Sequence, residues 1–77
     1  MDISEWTAYR IKTLAKQKNI TINKLATLSG LTQSTVDSII NGKSKNPRLN
    51  TIKKICEGLN ISIIDFFNDP LFDEIED

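Results

Sequence analysis

Between Thr21 and Gly42 the chain starts and stops a helix twice within 22 residues, and few folds accommodate that. Thr21 offers a hydroxyl to the unpaired N–H groups of a helix start. Gly30, free to adopt positive φ, ends that helix after about eight residues, with Leu25 and Ala26 facing inward. Leu31 intervenes and Thr32 caps again. A further helix is expected over Gln33 to Asn41, with Val36, Ile39 and Ile40 as its apolar stripe and Gly42 as its stop. Two short helices therefore meet across a minimal turn.

The flanking sequence supplies the elements that such a pair packs against. A first helix is expected from Ser4 to about Lys18, where Asp2 and Ser4 offer capping oxygens and Asp2 to Glu5 has capping-box spacing. Ile3, Thr7, Ile11 and Leu14 form its inner face, and Asn19 stops it. Trp6 falls on the shoulder of this stripe and Tyr9 further out, and both are open to covering a neighbour or staying at the surface. The stretch Gly42 to Arg48 has no apolar residue and reads as a basic loop. A fourth helix runs from Leu49 to Leu59, with Leu49, Ile52, Ile55, Cys56 and Leu59 at core spacing, Gly58 weakening its last turn and Asn60 as its stop. Ser62 caps a fifth through Phe67, which Asn68-Asp69-Pro70 breaks. With no strand pattern or repeat, the reading is all-α: a five-helix domain over residues 1–68 and an acidic C-terminal tail over 69–77.

Composition removes whole classes of chemistry. The 77 residues include no histidine and one cysteine, which excludes a disulfide framework, a Cys/His zinc site and the usual nucleophile–histidine pairs. Neither an enzyme nor a cofactor is expected, and Cys56 reads as a free thiol in the core. Asp73, Glu74, Glu76 and Asp77 read as solvated acids, not metal ligands. No apolar run approaches a membrane span and no leader precedes the first charges, so the expected location is cytoplasmic. The zero net charge hides an asymmetry: residues 1–60 hold all ten bases against four acids, leaving +6, and residues 61–77 hold six acids and no base. Lys12, Lys16, Lys53 and Lys54 read as solvated helix faces.

From Ile22 to Asn41 the chain meets the steric needs of a helix-turn-helix. Two helices crossing at roughly 90–120° need a small residue at their approach, here Ala26, and a positive-φ turn, here Gly30. Leu25, Leu31, Val36 and Ile39 fill the wedge. Gln33, Ser34, Thr35 and Ser38 stay outside, on a face able to offer donors and acceptors to base edges in a major groove.

Across residues 10–67 the sequence resembles the phage-repressor and Cro-like, or Xre-like, helix-turn-helix family. The resemblance runs through Arg10-Ile11-Lys12 with Leu14, Thr21 with Leu25-Ala26, Ser29-Gly30-Leu31-Thr32, Ser34-Thr35-Val36, Ile39 with Asn41-Gly42-Lys43, Pro47, and Leu59-Asn60-Ile61-Ser62 through Asp65. It implies a compact lambda-repressor-like domain that binds double-stranded DNA as a transcriptional regulator. It assigns base reading to Gln33, Ser34, Thr35 and Ser38, and phosphate contacts to Asn41, Lys43, Lys45 and Arg48. Three departures stand out. Ile22 occupies a position where the family commonly has glutamine; Ala15 and Ile40 replace a common ion pair; and Gln33 is the sole long amide on the reading face, where Asp37, if it faces the groove, would repel phosphate. The family also implies a homodimer, for which Phe67 and Leu71 are the candidate contacts. The tail, where Leu71, Phe72 and Ile75 alternate with acids, has two other readings: folding back over Trp6 and Tyr9, or binding another protein. An antitoxin-like protein-interaction module is the alternative function.

Overall fold

The structure, a computed structural model, describes residues 1–76; Asp77, assigned above to the tail, lies outside the described residues. Five α-helices follow one another, α1 (Ile3–Gln17), α2 (Ile22–Ser29), α3 (Gln33–Ile40), α4 (Leu49–Leu59) and α5 (Ile63–Phe67), and a 3-10 helix over Pro70–Glu74 completes the order. No strand occurs among the described residues.

Local signals place the helix ends. Asp2 caps α1 through a reciprocal box, in which Glu5 N–H donates to Asp2 Oδ1 at 2.8 Å and Asp2 N–H to Glu5 Oε1 at 3.0 Å. Ser4, read as a possible cap, is instead inside the helix and donates its hydroxyl to Asp2 Oδ1 at 2.7 Å. Thr21, Thr32 and Ser62 each accept from the N–H three residues on. The stops at Asn19, Gly30, Gly42 and Asn60 all have positive φ, between 58° and 73°.

One core gathers Ile11 and Leu14 from α1, Leu25 from α2, Ile39 from α3, Ile52, Ile55, Cys56 and Leu59 from α4, and Phe66 from α5. Ala15 belongs to it and Ile40 packs half-buried against it, so the apolar replacements for the ionic pair sit in apolar surroundings.

Trp6 is the largest side chain with no exposure, well inside the shoulder position that its spacing gave it. Residues distant in sequence enclose it: Phe66 edge-on at 5.6 Å, Phe67 stacked at 5.7 Å and Phe72 edge-on at 4.8 Å between ring centroids. Its indole N–H donates to Asp69 Oδ2 at 2.8 Å, which satisfies the one polar atom that burial would otherwise orphan. Asp69 through Glu76 therefore run back along α1, and Glu76 N–H donates to the Met1 carbonyl at 3.1 Å.

Two expected core residues lie outside it. Leu49 is 67% exposed, because the buried stripe of α4 begins one turn later at Ile52 and the polar loop before Leu49 has nothing to cover it. Ile3, the first residue of α1, is 39% exposed for the same end-of-helix reason. Gly58 has a packing role beyond weakening a turn: a Cβ there would overlap the Ser29 hydroxyl and approach Leu25 Cδ1 to 3.2 Å, so its bare backbone lets α4 close on α2. Arg10, one of the ten bases of residues 1–60, is committed to the fold. Its Nε and Nη2 donate to the Phe66 and Asp65 carbonyls, both at 2.7 Å, closing the C-terminal end of α5 onto α1.

Candidate nucleic-acid interface

The pair α2–α3 is set by its turn. At Gly30, with φ 69°, the chain reverses, and Leu31 N–H donates to the Ala26 carbonyl at 3.0 Å. Leu25, Ala26, Val36 and Ile39 are buried in the wedge, which leaves the opposite face of α3 to solvent.

That face begins with a hydroxyl cluster. Thr32 Oγ1 lies 2.8 Å from Thr35 Oγ1 and 3.3 Å from Ser34 Oγ, and it accepts the Thr35 N–H at 3.2 Å. Gln33, Ser34 and Thr35 are exposed, and Ser38 is half-buried. Gln33 Nε2 donates to Asp37 Oδ1, one turn on, at 2.9 Å. Asp37, which the sequence marked only as a repulsive charge, thus orients the amide. A carboxylate accepts only from the NH₂ end, so the second N–H and the carbonyl of Gln33 remain for a ligand.

The end of α3 is tied to the basic loop through one carbonyl, since the Lys43 and Ser44 N–H groups both donate to Ser38 O, at 2.9 and 3.0 Å. Between α3, this loop and the start of α4 lies an open depression of about 340 Å³ lined by Thr35, Ser38, Ile39, Ser44, Asn46, Pro47, Arg48 and Thr51. It brings the base-reading candidates Thr35 and Ser38 together with the phosphate candidate Arg48. It also adds Ser44, Asn46 and Thr51, which sequence reasoning missed; their only signal was polarity in a loop and in the first turn of α4.

The other anchoring candidates are spread out. Asn41 lines a depression on the far side of α3, beside Lys12. Lys43 is exposed on the loop. Lys45 approaches the start of α1: the Asp2 carboxyl is held below its ordinary value chiefly by the Glu5 N–H, then by the Ser4 hydroxyl, with the Lys45 ammonium adding to both. Cys56 is sealed in the core, and burial pushes its thiol up, away from the reactive thiolate. Among the described residues no group of three or more His, Cys, Asp or Glu could hold a metal ion, and no helix is long and apolar enough to cross a membrane.

The family model of the Cro/C1-type helix-turn-helix DNA-binding domain matches residues 10–70, most of the chain. The chain belongs to that family. This Cro/C1-type domain is 38% identical over 52 residues to the HTH-type transcriptional repressor RghR of Bacillus subtilis (strain 168), a match covering 68% of the chain and 38% of the relative. It is 35% identical over 52 residues to a second protein of that organism, the uncharacterized HTH-type transcriptional regulator RghRB, covering 68% of the chain and 37% of the relative. The chain thus spans well under half the length of these relatives. Among solved structures, the crystal structure of the prophage Lp1 protein 11 superposes with a TM-score of 0.84 at 43% identity, covering 97% of this chain and all of that one. The similarity therefore takes in the five helices and the returning segment after them, beyond the helix pair alone.

Proposed function

We propose that this Cro/C1-type domain is a sequence-specific, double-stranded DNA-binding transcriptional regulator, acting in the cytoplasm without catalysis, with α3 lying in the major groove. The observation that carries this is an exposed amide and hydroxyl face at Gln33, Ser34 and Thr35 that continues, through Thr35 and Ser38, into a depression that Arg48 also lines. Base edges require donors and acceptors on one face of a helix, and positioning requires a cation where the phosphates pass. Gln33, Ser34, Thr35 and Ser38 read bases; Asn41, Lys43, Lys45 and Arg48 hold backbone.

A homodimer suits this role, because two reading helices related by a two-fold axis match palindromic half-sites. Ile64, 78% exposed, presents apolar surface beside the half-buried Phe67 in a groove of about 530 Å³ that Ile63, Ile64, Phe67 and Asn68 line, and Leu71 is a further exposed apolar residue at 39%. Sedimentation should give a concentration-dependent dimer, and Ile64→Lys should shift it to monomer with its helix content intact. Selection of bound sites from random duplexes at two salt concentrations tests the main reading. An enriched motif whose binding weakens with salt supports it, and absence of duplex binding at every salt concentration transfers the function to the protein-interaction alternative.

A further inference from the structure

We infer that Lys12 and Lys16 form a second backbone-anchoring position for duplex DNA, on the flank of α3 opposite Arg48, a conclusion that rests on the DNA-binding reading above. A helix in the major groove lies between two sugar-phosphate walls about 12 Å apart, so cations on one flank alone leave it free to rock toward that wall. The depression on the loop side of α3 has Arg48. The α1 side is bordered by two depressions, and Lys12 lines both. In the first, of about 320 Å³, it shares the surface with Ile40 and Asn41 at the end of α3. In the second, of about 370 Å³, it is joined by Lys16, one turn along α1, and by Ile22 at the start of α2.

Both lysines are exposed, which agrees with the solvated faces expected of them. What the fold adds is their address, on a line from the start of α2 to Asn41, a residue already assigned to phosphate. Glu5 borders the first depression, but its Oε1 is engaged by the Asp2 N–H at 3.0 Å. Ile22 brings no charge to the second, so the cations of α1 supply the attraction there.

The test compares the whole chain with its Lys12→Gln/Lys16→Gln variant on a selected duplex and on a mixed-sequence duplex of roughly twenty base pairs, about two helical turns. Each phosphate contact contributes about −0.9 to the log–log salt slope, so the double variant should have a slope about 1.8 shallower. Between 50 and 200 mM salt that amounts to about a 12-fold smaller loss of affinity than for the unmodified chain, with sequence preference retained. Lys12→Arg/Lys16→Arg should keep the original slope, Lys54→Gln on the outer face of α4 should leave it unchanged, and thermal unfolding verifies that each variant folds. A double variant whose slope is unchanged while Lys43→Ala loses about 0.9 overturns the second anchor and leaves the DNA-binding reading standing. A loss of about 0.9 from Lys54→Gln, the same per charge removed, overturns it as well, since the effect is then one of total charge. No salt-dependent binding by the unmodified chain overturns both.

Discussion

Replacing Asp69 by alanine tests whether the segment after α5 belongs to the core or merely trails it. The Trp6 indole is fully buried, and its N–H has the Asp69 carboxylate as acceptor at 2.8 Å. Removing the acceptor leaves a buried donor unsatisfied, which costs about 1–3 kcal/mol. For a domain of this size each kcal/mol lowers the unfolding midpoint by about 4–8 °C, so a loss near 2 kcal/mol corresponds to roughly 8–16 °C. Asp69→Asn, which keeps a carbonyl oxygen, should recover most of the loss. Because the chain has a single tryptophan, its fluorescence reports this site without interference. Circular dichroism melts and the emission maximum of Trp6 measure the two consequences together: a lower midpoint and a red shift as water reaches the indole. An unchanged midpoint and emission in Asp69→Ala would refute the reasoning, and with it the packing of residues 69–76 on α1.

Gly58→Ala should destabilise the fold although alanine is the better helix former by about 1 kcal/mol, because even with the Ser29 hydroxyl turned aside the new methyl presses on the Ser29 backbone nitrogen at 3.1 Å and on Leu25 Cδ1 at 3.2 Å where α4 meets α2; chemical denaturation measures the sign. Gln33→Ala should cost about 1–3 kcal/mol on the selected duplex, relax preference at one base position and barely alter mixed-sequence binding, as fluorescence anisotropy at one fixed salt concentration shows. The lowered carboxyl of Asp2 adds stability that is complete above the ordinary value of 3.8 and is lost as pH falls through the folded value. Asp2→Asn should therefore flatten the acid limb of a stability–pH profile and leave its neutral region without pH dependence from this group.

The helix boundaries and the exposed face of α3 were legible because the physics that sets them is local. A cap hydroxyl reaches an N–H three residues away, and a left-handed stop depends on one residue's own sterics, so Thr21, Gly30, Thr32, Gly42, Asn60 and Ser62 could be placed from their neighbours alone. The outward set Gln33, Ser34 and Thr35 followed from helical period once Val36 and Ile39 were turned inward. Periodicity also has a limit at helix ends, where a residue in register still lacks a neighbour to cover it, and Leu49 and Ile3 were misplaced for that reason.

What sequence alone left open depends on partners far along the chain. Trp6 is buried because Asp69, 63 residues later, accepts a hydrogen bond from its indole N–H, and because Phe66, Phe67 and Phe72 arrive around it. Arg10 is tied down because carbonyls 55 and 56 residues away end a helix beside it. Gly58 matters through Ser29, and the meeting of Thr35, Ser38 and Arg48 in one depression requires the loop to return along α3. Composition and period establish which residues can be buried or can bind; which of them meet is decided by the tertiary fold, where the cost of closing long loops is repaid by packing that no local window contains.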